Sequence, residues 1–179
     1  MKILGAILAG GKSKRFGSDK AAALLNNIPL IEHVADALRG KVDDVVVCGR
    51  EWPAIRCIAD RPVDDKGPLG GLNAALHFAR DGGFDYVFSV GCDVLPIPQI
   101  PAITDPNAAY FVEDHFLFGL WPVSLAPELD WHLEQQTNFS MRHWIETIGA
   151  RPLQSQITHF NINHPSDLIY AANNLAAHG

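Results

Sequence analysis

Cysteine and methionine are scarce in this chain of 179 residues, which has three of the first and two of the second. Cys48, Cys57 and Cys92 form no C-x-x-C pair, cannot all pair with one another, and each lies in or beside an apolar segment. That argues against a disulfide-stapled secreted scaffold and against a thiolate metal centre; buried, reduced thiols in a cytoplasmic protein are expected. No apolar run reaches the roughly eighteen residues of a membrane-spanning helix, and the N-terminal run lacks a signal-peptide layout. An excess of positive charge is also missing. The formal charge of −6 argues against a broad nucleic-acid surface. The eight histidines show no H-x-x-H, H-E-x-x-H or Cys/His zinc spacing. With no repeat, low-complexity tract or linker, one domain spanning residues 1–179 is expected.

What the chain does have is a concentrated start. Ile3 to Ala9 is a short, continuous apolar run bounded by glycine, the pattern of a buried parallel strand. Gly10 and Gly11 follow at its carboxyl end, where open α/β sheets bind ligands. Glycines let backbone N–H groups approach an anion, and Lys12, Lys14, Arg15 and Lys20 supply opposing charge. A local positive site on an acidic protein suits a small anionic ligand such as a nucleoside triphosphate.

Two familiar phosphate loops fail against it. Gly10-Gly11-Lys12 is not G-x-G-x-x-G, and a P-loop ending in Gly11-Lys12-Ser13 would need glycine at Ala6. Gly5 is one residue out of register.

The rest of the chain alternates. Pro29–Arg39 reads as an amphipathic helix stopped by Gly40, Val45–Cys48 and Ile55–Ala59 as strands, and Leu69–Ala79 as a helix closed by Gly82-Gly83. Tyr86–Val90 is a strand that delivers Gly91-Cys92-Asp93 at its end. Ala109–Glu113 and Phe116–Trp121 flank a hairpin at Asp114-His115. Helices are expected over Pro127–Gln135 and Ser140–Ile148, a strand over Ile157–Ile162 and a last helix over Pro165–Ala177. Such alternation implies a mostly parallel sheet covered on both faces. The prolines at 96, 98, 101 and 106 mark a long loop expected to border the site.

Within this frame a few polar residues stand out. Asp93, at the end of a buried strand, suits either Mg²⁺ coordination or capping of the next turn. Asp60 ends a short strand and is either a ligand carboxylate or a partner of Arg61. Asn161 and Asn163 share one face of the last strand, as pocket residues or as a turn cap before Pro165. His33, His77, His132 and His143 read as helix-surface or packing residues, and the tryptophans as packing residues.

The segment Leu8-Ala9-Gly10-Gly11-Lys12-Ser13-Lys14-Arg15-Phe16-Gly17-Ser18-Asp19-Lys20 resembles the nucleotidyltransferase signature L-A-G-G-x-S/x-R-x-G-x-D-K. Asn26-Asn27-Ile28-Pro29-Leu30, Gly67-Pro68-Leu69-Gly70-Gly71, Cys92-Asp93-Val94-Leu95-Pro96 and Phe160 to Leu168 are similar to further blocks of the molybdenum cofactor guanylyltransferase family, in family order. The resemblance implies a three-layer α/β/α nucleotidyltransferase fold of the Rossmann-like, nucleotide-diphospho-sugar transferase type. It also implies GMP transfer from GTP to molybdopterin cofactor, with Mg²⁺ on Asp93, and transient contact with the molybdoenzymes or chaperones that receive the product. Arg15, Lys20 and Asp93 would then carry the chemistry. Leu8, Ala9, Gly10, Gly11, Lys20, Asp60, Gly70, Asn161 and Asn163 would bind the substrates. Cys48 departs from the family, whose better-known members have asparagine there; a thiol is a poor substitute for an amide that both donates and accepts. The alternatives are cytidylyl transfer to the same cofactor, a sugar-phosphate nucleotidyltransferase, and a noncatalytic cofactor-binding module of the same fold.

Overall fold

Ile3–Leu8 forms β1, buried at every position and central in a seven-stranded sheet. The structure, a computed structural model, describes residues 1–10, 19–62, 66–100, 103–153, 160–162 and 167. Beyond β1 come a 3₁₀ turn at Lys20–Ala22, the short β2 (Leu24–Leu25) and β3 (Ile28–Pro29), α1 (Leu30–Arg39), β4 (Asp44–Cys48) and β5 (Arg56–Ile58). Next are α2 (Pro68–Asp81), β6 (Tyr86–Gly91), β7 (Val94–Leu95), β8 (Tyr110–Val112) and β9 (His115–Pro122). The described part ends with α3 (Ala126–Gln135), α4 (Met141–Ile148), β10 (Arg151–Leu153) and β11 (Phe160–Asn161).

The large sheet has the order β10-β8-β9-β6-β1-β4-β5. Strands β5, β4, β1 and β6 run parallel, β9 is antiparallel to both β6 and β8, and β10 is parallel to β8. Alternation along β1 divides the core. Ile3 and Ile7 pack with Leu30, Ile31, Val34 and Leu38 of α1, while Leu4, Ala6 and Leu8 pack with Leu69, Leu72 and Leu76 of α2. Helices therefore cover both faces, the three-layer arrangement expected of a parallel sheet with apolar strands.

The path of the chain defines where a ligand can sit. From β1 it passes through α1 to β4 on one side, then returns over α2 to β6 on the other. The crevice at the carboxyl ends of β1 and β6 is the switch point of the sheet.

Most expected elements are present with shifted ends. Helix α1 begins at Leu30 because Pro29, with extended ψ of 141°, is its N-cap; α4 begins at Met141 because Ser140 caps it, its hydroxyl accepting from His143 N–H. The hairpin turn is Glu113-Asp114, with Asp114 at φ +64°, so β9 already starts at His115. Three features differ from expectation. A tight β2–β3 hairpin turns at Asn26 and Asn27, both at positive φ. The three-residue β10 contains Pro152 and was hidden by it; the sheet edge tolerates a residue that cannot donate. The end of the proline-rich loop lies away from the crevice, since Tyr86, at the opposite end of β6, donates its hydroxyl to Pro106 O at 2.8 Å; Pro101 lies outside the described residues. Of the last strand, Phe160–Asn161 is present as β11, antiparallel to β7, and Ile162 follows it; residues 157–159 and nearly all of the last helix lie outside the described residues. Cys48 is buried and Cys57 and Cys92 are half-buried, and all three thiols are free.

Candidate nucleotide site

In register, Leu8 lies between Cys48 of β4 and Gly91 of β6, so Ala9, Gly49 and Cys92 leave the sheet side by side. Backbone bonds fix these exits: Ala9 N–H donates to Cys48 O at 3.1 Å, and Gly49 N–H donates to Ile58 O at 3.0 Å.

On the β6 side, Lys20 Nζ donates to Asp93 Oδ2 at 2.6 Å. Lys20 is only 8% exposed, unusual for a lysine and tolerable because the ammonium is paired. A Cβ on Gly91 would come within 2.7 Å of Asp93 Oδ1, so the carboxylate folds back over a position that only glycine leaves open. The backbone of Asp93 is tied down from behind, its carbonyl accepting from Ile162 N–H at 2.9 Å.

On the β4 side, glycines surround the half-buried Asp60. A Cβ on Gly10 would lie 3.2 Å from Asp60 Oδ2, one on Gly70 3.3 Å from Asp60 Cβ, and one on Gly71 3.4 Å from Asp60 Oδ1. Gly49 is the most constrained, at φ +78° and with its Cβ position 2.8 Å from Asp60 Oδ1. The backbone on which Asp60 sits is braced by α2 and α3. Arg61 N–H donates to Gly70 O at 3.1 Å, and Asn73, fully buried, donates to Asp130 Oδ1 at 2.8 Å. Asp130 also meets His77 Nε2 at 2.8 Å and lies 3.7 Å from Arg61 Nε. The Arg61 side chain thus faces Asp130.

Arg50, which sequence reasoning passed over, closes this end. Its Nη1 donates to Asp19 Oδ1 at 2.8 Å, its Nη2 pairs with Asp19 Oδ2, and its guanidinium stacks 5.6 Å from the Trp52 ring centroid. The Arg50 hydrogen bond holds the Asp19 carboxyl below its usual range, and the same bond raises the guanidinium's pKa. Burial pushes the Cys92 thiol up to about 12 and the Cys48 thiol further still. Burial thus favours the protonated thiol at both positions, the less nucleophilic form.

Of the residues singled out in the sequence, the structure therefore gathers Leu8, Ala9, Gly10, Lys20, Cys48, Asp60, Gly70 and Asp93 around one crevice. Cys48 is 1% exposed beneath Gly71, so its thiol is part of the packed wall. Asn161 pairs through its backbone with Val94, next to Asp93. Gly11, Lys12, Lys14, Arg15 and Asn163 lie outside the described residues. Among the described residues no cluster of three or more His, Cys, Asp or Glu could hold a metal. Asp93 and Asp60 are the carboxylates gathered there, and the hard oxygens of Asp93 are chemically compatible with Mg²⁺, an ion that keeps waters and takes other oxygens from substrate phosphates.

A mostly parallel sheet with glycines, a buried lysine and a carboxylate at its switch point is the arrangement of a nucleotide-handling α/β enzyme. The family comparison specifies it. The chain belongs to the MobA-like NTP transferase family, whose domain matches residues 5–151, and it is a nucleotidyltransferase. It is 32% identical to a molybdenum cofactor guanylyltransferase of Rhizobium leguminosarum bv. trifolii, over 95% of this chain and 91% of the relative. It is 33% identical to a molybdenum cofactor guanylyltransferase of Rhodobacter capsulatus, over 73% of this chain and 74% of the relative. The molybdopterin-guanine dinucleotide biosynthesis protein A of Archaeoglobus fulgidus superposes with a TM-score of 0.69 at 20% identity, covering 99% of this chain and all of that one.

Proposed function

We propose that this enzyme transfers GMP from GTP to the terminal phosphate of molybdopterin cofactor and releases pyrophosphate. The observation that carries the reading is the pairing of Lys20 with Asp93 across the switch point, beside a carboxylate enclosed by glycines. The names of the relatives supply the acceptor and the base.

A phosphate oxygen of the acceptor attacks the α-phosphorus in line. The bond from that phosphorus to the bridging oxygen breaks, and pyrophosphate leaves with the electron pair. The attacking oxygen is already anionic, so no side chain has to remove a proton; positioning and charge neutralisation carry the step. Backbone N–H groups of the Leu8 to Gly11 turn hold the phosphates, with Arg15 bracing them. Lys20 neutralises charge that grows on the α-phosphoryl group. Asp93 holds Mg²⁺, which screens phosphate charge when bound. Asp60 accepts from guanine N1–H and the 2-amino group, the two donors on that edge of the base.

Pyrophosphate release, measured with GTP, CTP, ATP or UTP plus Mg²⁺ and molybdopterin cofactor, tests the reading. Turnover with GTP alone is expected. A preference for CTP would make the enzyme a cytidylyltransferase, and turnover with a sugar phosphate in place of the pterin would change the acceptor.

A further inference from the structure

We infer that Arg50 is a positioning residue for nucleotidyl transfer: by forking onto Asp19 it holds the turn that sets Lys20 on Asp93. The inference rests on the role proposed above for Lys20, but its geometry is independent of which nucleotide is used.

Asp19 and Lys20 are consecutive and have partners on opposite sides of β1. Asp19 is clamped by Arg50, two residues past the end of β4, and Lys20 is paired with Asp93, two residues past the end of β6. Because β4 and β6 are the two neighbours of β1, this dipeptide is strung across the crevice like a clasp. Asp19 also caps the 3₁₀ turn that contains Lys20, its Oδ1 accepting from Ala21 N–H at 3.2 Å. Moving Asp19 therefore moves the lysine.

Arg50 itself has little freedom. Its guanidinium lies over Trp52, whose indole N–H donates to Glu32 Oε1 at 3.3 Å, which ties the stack to α1. A planar fork held on one face and matched to a carboxylate fixes direction as well as charge. It also serves electrostatics. A bare carboxylate next to Lys20 would draw the ammonium away from Asp93 and repel a triphosphate; Arg50 cancels it. The side chains of Arg50 and Asp19 remain 24% and 46% exposed, so the pair contributes little to folding.

Four variants test this: Arg50→Ala, Arg50→Lys, Asp19→Asn and the Arg50→Ala/Asp19→Asn double. Two readouts are used. The first is steady-state turnover with the best of the four nucleotides. Arg50→Ala is expected to lower kcat roughly ten- to a hundredfold, the scale of an ångström-sized misplacement, with a much smaller change in nucleotide KM. Arg50→Lys should recover part of the loss, and the double variant should be no worse than the poorer single one. The second readout is pulse acetylation of the folded protein, read by mass spectrometry at Lys20 with the exposed Lys2 as internal standard. Lys20 should label severalfold faster in Arg50→Ala and stay near wild type in Arg50→Lys. Losses that multiply in the double variant, or faster labelling with unchanged kcat, would overturn the proposal. Unchanged labelling would also overturn it. If the wild type turns over no nucleotide, the proposed transfer fails, and the labelling arm alone decides whether Arg50 holds Lys20.

Discussion

The ammonium of Lys20 and the carboxylate of Asp93 are in direct contact, 2.6 Å apart, although 73 residues separate them in sequence. Lys20 comes from the turn that follows β1, and Asp93 from the segment that follows β6. The parallel pairing of those strands makes their exits neighbours, and both charges stand at the switch point. Under the proposed function, a nucleotide and its metal would each take over one partner of this pair, so binding would not have to bury new charge and the desolvation of an isolated buried ion would be limited.

Asp93→Asn keeps the shape of the side chain but removes the counter-charge of the buried Lys20 ammonium, so a lowered unfolding midpoint is expected. Turnover per folded molecule should fall by about a hundredfold or more, the scale of removing a charge-stabilising group. The amide still meets Lys20 but binds Mg²⁺ weakly. Turnover per folded molecule, with thermal unfolding as the folding control, checks this; near-normal kcat would remove Asp93 from the mechanism.

Lys20→Ala should lower kcat more than it weakens GTP binding, because the ammonium is assigned to charge that grows in the transition state. An interaction equally strong in both states would instead raise KM and leave kcat alone. Steady-state kinetics separate the two outcomes, and the second would make Lys20 a binding residue only.

How far the sequence leads is seen by comparing Lys20 with Arg50. The end of β1 and the Cys92-Asp93 exit were legible because a short apolar run bounded by turn residues reads as a buried strand in an alternating chain. That Lys20 and Asp93 touch depends on strand order, which no local pattern states. Arg50 gave no such signal. It lies 31 residues from Asp19, and only the parallel pairing of β4 with β1 brings them together. The bracing of Asp60 through Asn73 and Asp130 was hidden for the same reason, as α2 and α3 meet only in the folded sheet. Elements of two or three residues, β2, β3 and β10, are too short for any periodicity.

Gly49→Ala should destabilise the protein and damage the pocket together. Its φ of +78° costs a residue with a side chain about 1–3 kcal/mol, and the new Cβ would sit 2.7 Å from Gly10 Cα. Backbone cannot yield as a flexible side chain does, so Gly10 and Asp60 must shift. Chemical denaturation and GTP titration should both report a loss; an unchanged midpoint with unchanged affinity would show that this turn relaxes freely.

Acid should weaken the fold through His132. The ring is 1% exposed, packed edge-on against Trp144 at 5.1 Å between centroids, and burial lowers its pKa from the ordinary 6.5. The unfolded chain then binds the proton more readily than the folded one. The stability it contributes is complete above about pH 6.5 and declines as pH falls from there towards the depressed folded value. Unfolding midpoints at pH 7.5 and 5.5 should differ, and His132→Leu should narrow the difference. An equal difference in the variant would place the acid sensitivity elsewhere.

Asp60→Asn asks whether the glycine-lined carboxylate reads the base. Gly10, Gly49, Gly70 and Gly71 crowd it so closely that the substituted amide has to occupy the same position. One acceptor becomes a donor and faces a donor on guanine. A buried, mismatched polar contact costs roughly 1–3 kcal/mol, so preference for GTP over ATP should fall by about ten- to a hundredfold. ATP itself should bind much as before, since the triphosphate contacts proposed for Lys20 and the loop are common to all nucleotides. Cys48→Asn is a separate matter. Its side chain would enter a packed wall beneath Gly71, so any gain in GTP affinity requires that wall to open. Titration of both variants with GTP and ATP in the presence of Mg²⁺ resolves the two positions. Intact GTP/ATP discrimination in Asp60→Asn would leave the glycine enclosure as a purely structural device and move base recognition to backbone groups near Leu8 and Gly70.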